Sequence, residues 1–211
     1  MAGYLNTAVN KVVGPATLLS ASGFGAITWV SLNNKNLSVG DTSFITIAAK
    51  QQNTGMGWAN NNTTVNGNWG SGPISQFPLN VSLRLGITGS CLLVHTLNTE
   101  GQRVATKSLL PVSTNTFDVS FDQSTDKTLW YGLEMLSSNT TQWTGAVSND
   151  WFNSANWCCG QVPGPLSNVV INNGKPNYPM VTADIIIWSI RVNVGAVFNV
   201  AAGVKVTAQG Q

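Results

Sequence analysis

The sequence predicts an all-β chain, an antiparallel β-sandwich followed by a short parallel β-solenoid-like module. Seven short strand-like runs recur at hairpin spacing between residues 26 and 135. Apolar residues at the 3.6-residue helical period are missing beyond a short turn over 5–13. After a polar run near residue 140 the strands are parted by Gly-containing corners instead of hairpins, the pattern of stacked rungs.

Residues 1–15 hold one lysine and no apolar run long enough for a signal-peptide core. No stretch approaches the roughly 20 apolar residues of a membrane helix, so membrane insertion is not expected. The predicted strands are 26–32, 43–49, 79–85, 90–97, 103–111, 116–121 and 128–135. Phe117, Val119 and Phe121 share one face, as do Val81, Leu83 and Leu85 against Ser82 and Arg84. Such alternation marks strands buried on one side. Asn33 to Asn36, Asn98 to Gly101 and Asp122 to Asp126 supply the turn chemistry between strands. Residues 51–78 carry Gly-flanked aromatics among Asn and Thr with no strand period, and are expected to form a long loop. The polar run places a linker at 137–142, between a sandwich over 1–136 and a second module over 143–211.

That module opens with Trp143, Trp151 and Trp157 among small and amide residues, a spacing that predicts a compact aromatic cap whose indole N–H groups must find acceptors. Strands follow at 169–171, 185–194, 196–200 and 204–207. The positions Trp143, Gly145, Ser148, Asp150, Trp151, Asn156, Trp157, Val162-Pro163 and Asn177-Tyr178-Pro179 follow W-x-G-x-x-S-x-D-W-x-x-x-x-N-W, then a Val-Pro step and an NYP turn. In this the last third of the chain resembles the repeat modules of large secreted and surface proteins of Bacteroidota. The resemblance implies surface display or adhesion, with Trp143, Asp150, Trp151, Asn156 and Trp157 as a structural motif, and it implies no ligand. Cys158-Cys159 departs from the small or polar residues expected there.

Composition narrows the function. Only 9% of residues are charged, against roughly 25% in an ordinary soluble domain, and the net charge is +2 with Lys and Arg scattered singly. No basic stripe exists to neutralise a run of phosphates, so nucleic acid is not an expected partner. Neutral glycans or copies of the chain itself are. Gly23-Phe24-Gly25 and Gly55-Met56-Gly57 lack the remaining glycine and lysine of a phosphate cradle. Of the eight acids, only Asp118 or Asp122 with Glu134 could flank a glycosidic bond, and Asp122 to Asp126 lacks the Glu of a calcium loop. His95 shares a strand face with Cys91 and Leu93, without a Gly-x-Ser-x-Gly elbow anywhere in the chain. Cys91, Cys158 and Cys159 lack the second Cys or His pair of a zinc site; a bridge from Cys91 to either of the others is open. No metal, cofactor or catalytic residue is expected.

The expectation is thus a non-enzymatic extracellular or cell-surface module, structural or adhesive. Its ligand-binding candidates are Trp58 and Trp69 with Asn60, Asn61, Asn62 and Asn66, where indole faces can stack on sugar rings and amides can bond hydroxyls. Two readings of that segment stand: a glycan site, or two tryptophans plugging the sandwich end with asparagines serving turns. The rivals for the whole chain are a self-assembling virion fibre or decoration protein and an accessory domain of a polysaccharide-active enzyme.

Overall fold

A computed structural model describes residues 1–61, 63–137 and 139–210. Its N-terminal strands are β1 (Ala2–Tyr4), β2 (Val12–Val13), β3 (Ala16–Ala21), β4 (Phe24–Ser31), β5 (Thr42–Ala49), β6 (Gln51–Thr54), β7 (Ser71–Gln76), β8 (Asn80–Gly86), β9 (Cys91–Leu97), β10 (Arg103–Leu109), β11 (Thr116–Asp122) and β12 (Trp130–Leu136), with a single-turn helix α1 (Gln123–Asp126). They form a six-stranded sheet of order β1-β4-β5-β12-β9-β10, a four-stranded sheet β11-β8-β3-β2 and a separate hairpin β6-β7, all antiparallel.

The alternation read from the sequence decides which side of each sheet is dry. Ile45, Ile47, Leu92, Val94 and Tyr131 from the larger sheet meet Leu18, Leu83, Phe117 and Phe121 from the smaller in one buried cluster. The rings of Phe121 and Tyr131 stand 4.6 Å apart across the two layers. All seven predicted strands are present, and β1 to β3 are added ahead of them. Their shortness and the Gly and Asn around them hid their period.

The long loop expected over 51–78 is shorter, 55–70, because strands flank it on both sides. β6 and β7 pair over Gln51–Gln76, Gln52–Ser75 and Asn53–Ile74, as an arm outside both sheets. Both strands are largely exposed, so neither face needs apolar residues and the sequence shows no alternation.

β13 (Thr140–Gln142), β14 (Asn168–Ile171), β15 (Met180–Val181), β16 (Ile185–Ile187), β17 (Ser189–Val192), β18 (Asn199–Val200) and β19 (Val206–Ala208) complete the chain. Here every ladder is parallel: β13-β14-β17, β15-β18 and β16-β19. Asn168 faces Ser189, Met180 faces Asn199 and Ile185 faces Val206, offsets of 21, 19 and 21 residues. The expected linker is shorter than 137–142, because Thr140–Gln142 already pairs with β14. The single strand expected over 185–194 breaks at Trp188 into β16 and β17, which belong to different sheets.

The tryptophan motif closes this module. Trp143 and Trp151 are fully buried and Trp157 nearly so. Trp157 takes the edge of both partners, with ring centroids 4.9 Å from Trp143 and 4.6 Å from Trp151 at near-perpendicular planes. Asn156, 0% exposed, uses its whole amide: Oδ1 accepts from the Val147 and Ser148 N–H groups, and Nδ2 donates to Ser148 Oγ and the Asp150 carbonyl. Asp150 Oδ1 in turn accepts from Phe152 N–H. Trp143 Nε1 donates to the Asn177 carbonyl and Trp157 Nε1 to the Trp151 carbonyl. Gly145, at φ +59°, lies so close to the Asn177 carbonyl that a Cβ could not fit there. The indole N–H of Trp151 has no acceptor among the described residues, against the expectation for the cap. No helix among the described residues is long and apolar enough to cross a membrane.

Replacing Asn156 by Ala strands two N–H donors and a carbonyl in a dry site, each worth about 1–3 kcal/mol. Asn156→Ala should therefore lower unfolding free energy by more than about 3 kcal/mol in urea titration, and Asn156→Asp, which keeps the acceptors, by less. Equal, small losses in both would remove Asn156 as the organiser of the turn.

Candidate functional site

The arm carries the predicted ligand residues. Neither Trp58 nor Trp69 belongs to the sandwich core; they are 40% and 64% exposed. The reading in which both plug the sandwich end is thereby corrected. Trp58 is held from one side by a hydrogen bond from Nε1 to Gln52 Oε1, 3.0 Å, and from another by the Lys50 ammonium, 5.0 Å from the ring centre. The same ammonium lies 5.2 Å from the ring of Phe77, so the two aromatics flank one cation. Trp69 is placed by its backbone, whose carbonyl accepts from Asn53 Nδ2 at 2.9 Å.

Asn60, Asn61 and Asn66 all have positive φ, between 47° and 55°. They are turn residues by backbone, as asparagine tolerates the left-handed region better than other non-glycine residues. Their side chains remain exposed, and none has a hydrogen-bond partner among the described residues. Asn62, also predicted for this site, lies outside the described residues.

At the foot of the arm lies a cavity of about 330 Å³ that the sequence reading missed. It gathers Gln76 and Pro78 from the end of β7, Asn98 and Thr99 from the β9–β10 turn, and Gln123, Lys127 and Trp130 from around α1. Three segments distant in sequence meet there, so no local motif announces it. Gln123 is its fixed floor: Nε2 donates to the Ile47 and Thr128 carbonyls at 2.7 and 3.0 Å, and Oε1 accepts from Leu79 N–H at 3.0 Å.

The acids considered for hydrolysis do not converge. Asp118 accepts a bidentate pair from Arg84 at 2.7 and 2.8 Å on the outer side of the smaller sheet. Glu134 points outward from the larger sheet, and Asp122 caps α1 by accepting from Ser124 N–H. Glu134 instead joins His95, whose Nε2 donates to it at 3.3 Å while Nδ1 meets Thr106 Oγ1 at 2.8 Å; Arg103 reaches the same carboxylate at 2.9 Å. The order hydroxyl, imidazole, carboxylate is the one that activates a nucleophile. Here Arg103 already neutralises the carboxylate that would support an imidazolium, and the network braces three neighbouring strands, β10, β9 and β12. The hydrogen bond from His95, together with the Arg103 charge, holds the Glu134 carboxyl below the ordinary range against the opposing effect of burial.

The three cysteines meet between the two modules. Cys91 on β9 is bridged to Cys159, with Cα atoms 5.9 Å apart, and the free Cys158 lies buried with Sγ 2.8 Å from that of Cys91. Burial pushes the Cys158 thiol up to about 11. The open pairing of the sequence reading is resolved in favour of Cys159.

A scan against protein-family models, a search of curated proteins and a search of solved structures each return no match. What this site does rests on its own chemistry.

Two outcomes follow. Glu134 is depressed on folding, so its contribution is present above the unfolded carboxyl value, about 4.3, and is lost as pH falls through the folded value. The stability gap between the parent and Glu134→Gln should shrink as pH drops below about 4; a constant gap would show that the charge is not involved. Iodoacetamide at pH 8 should label no cysteine in the folded protein, one after unfolding without reductant and three after reduction, read by intact mass. Labelling of Cys158 in the native state would contradict its burial.

Proposed function

We propose that this chain is a surface-displayed, non-enzymatic recognition module that binds glycans through the β6–β7 arm, on a sandwich carried by the first coils of a parallel β-solenoid. One observation carries the reading: Trp58 and Trp69 are large, exposed and outside the core, on the same arm as the Asn60, Asn61 and Asn66 amides, which have no partner among the described residues. Indole faces stack on the C–H faces of sugar rings while amides exchange hydrogen bonds with hydroxyls, and this arm concentrates both. The Cys91–Cys159 bridge favours an oxidising, extracellular setting. The offsets of 19 to 21 residues between parallel partners favour the solenoid reading.

A second reading, assembly into a particle or fibre, is favoured by β17, β18 and β19. Each is paired along one edge only among the described residues, and open strand edges template further pairing.

The test is a glycan array of the intact chain beside the Trp58→Ala, Trp69→Ala double variant, with light scattering on both. The double variant should stay folded and bind its glycans at least about tenfold more weakly, a loss of about 1.4 kcal/mol. Unchanged binding would remove the arm as the site. Absence of glycan binding together with a large defined oligomer would transfer the proposal to assembly.

A further inference from the structure

Resting on that reading, we infer that the cavity at the foot of the arm is a subsite for one charged sugar unit, a uronic acid. Its ring would lie against Trp130 and its carboxylate would meet Lys127.

At about 330 Å³ the cavity lies at the small end of ligand sites, roughly 300–1,000 Å³, and suits one or two sugar rings better than a longer segment. Its walls are Pro78, Leu129 and Trp130, and its polar groups come from Gln76, Asn98 and Gln123. Most of these amides are already engaged. Gln123 is saturated by three backbone partners, and Asn98 Oδ1 accepts from the Glu100 and Gln102 N–H groups while its Nδ2 donates to Gln102. They shape the cavity and hold it rigid before any ligand arrives.

Two donors remain open. The Lys127 ammonium forms no ion pair among the described residues, and the Trp130 indole N–H has no acceptor among them. No carboxylate lines the cavity. The acids next to it in sequence are committed elsewhere: Asp122 to the N-terminus of α1, and Asp126 to the Tyr131 hydroxyl at 3.0 Å. Lys127 itself is fixed in place by its backbone, which takes φ 52° and closes α1 with an N–H bond to the Gln123 carbonyl. Lys127 is the one charged side chain among the described residues that line the cavity, and Trp130 lines it too. A ligand with a flat apolar face and a single carboxylate matches both.

The cavity adjoins the arm through Gln76, the last residue of β7. Gln76 lines it, Phe77 follows, and Phe77 shares the Lys50 ammonium with Trp58. A bound oligosaccharide would place its charged unit in the cavity and further rings along Phe77, Trp58 and the tip.

The experiment is titration calorimetry of the full chain with trisaccharides of galacturonic, glucuronic and mannuronic acid, and with the methyl ester of each. At least one acid should bind, with its ester at least tenfold weaker. Lys127→Met should erase the difference between acid and ester without unfolding the protein, and Trp130→Ala should weaken both. Equal binding of acid and ester, a difference that survives Lys127→Met, or no binding of any acid while the arm still binds neutral glycans would each overturn the subsite and leave the arm reading intact. Loss of all glycan binding by the parent chain would overturn both.

Discussion

Strand β9 is covered on both faces, and the joining of the two modules depends on that. One face, through Leu92 and Val94, lies in the sandwich core. The other, through Cys91 and Leu93, packs with Leu136 against Cys158 of the C-terminal module. A strand buried on both sides reads as an almost unbroken apolar run, which is what Cys91 to Val94 shows. The only histidine of the chain sits on that second face at 3% exposure, and its two ring nitrogens are both satisfied, by Thr106 and Glu134. The Cys91–Cys159 bridge then ties the start of β9, the strand beside the edge of the larger sheet, to the turn that follows Trp157. It closes a loop of 68 residues; in the chain-entropy account such a closure contributes roughly 4 kcal/mol by restricting the unfolded chain.

The same logic explains how much was legible in the sequence. Strands with one dry face, such as β8 and β11, announce themselves by alternation, and their residues are the ones found in the core. Much of the tryptophan motif was legible because several of its positions have local jobs: Asn156 bonds Ser148 and Asp150, and Trp157 bonds Trp151, all within nine residues, whereas Trp143 reaches the Asn177 carbonyl far along the chain. The arm was not legible as strands, because β6 and β7 have no dry face to impose a period. The cavity was hidden for a different reason. Gln76, Asn98, Gln123 and Trp130 are joined only by the strand order of the sheets, and strand order is a property of the whole fold. The His95–Glu134 pair was hidden in the same way, since the register that sets Leu93 against Glu134 exists only once β12 lies beside β9.

Asparagine carries two loads in this chain. Among the described residues, eight non-glycine residues have positive φ, and six of them are asparagines: Asn10, Asn34, Asn60, Asn61, Asn66 and Asn115. This backbone role takes six of the 24 asparagines in the sequence, so amide abundance alone is weak support for ligand binding. What separates Asn60, Asn61 and Asn66 from the others is position. They stand on an arm that presents exposed indoles, away from the packed sheets. Asn156 shows the opposite use: buried, not among the residues with positive φ, and with Oδ1 and Nδ2 both bonded.

The order of the arm needs a physical cause. A lone two-stranded hairpin is marginal in water, and this one lacks a hydrophobic face to hold it. Its order comes from specific ties: Asn53 to the Trp69 carbonyl, Thr54 Oγ1 to the Pro73 carbonyl at 2.7 Å, Trp58 to Gln52, and the Lys50 ammonium between Trp58 and Phe77. Three of these ties fix an aromatic or the backbone beside one, so on the proposed glycan reading the rings would be set before a ligand binds and less side-chain entropy would be lost on association, about 0.5–1.5 kcal/mol for each flexible side chain spared. An arm kept only for spacing would gain nothing from ordering its tryptophans outward, where both remain wetted. The ties make physical sense if the indoles are the surface being presented, and the Lys50 bridge extends that surface to the cavity below.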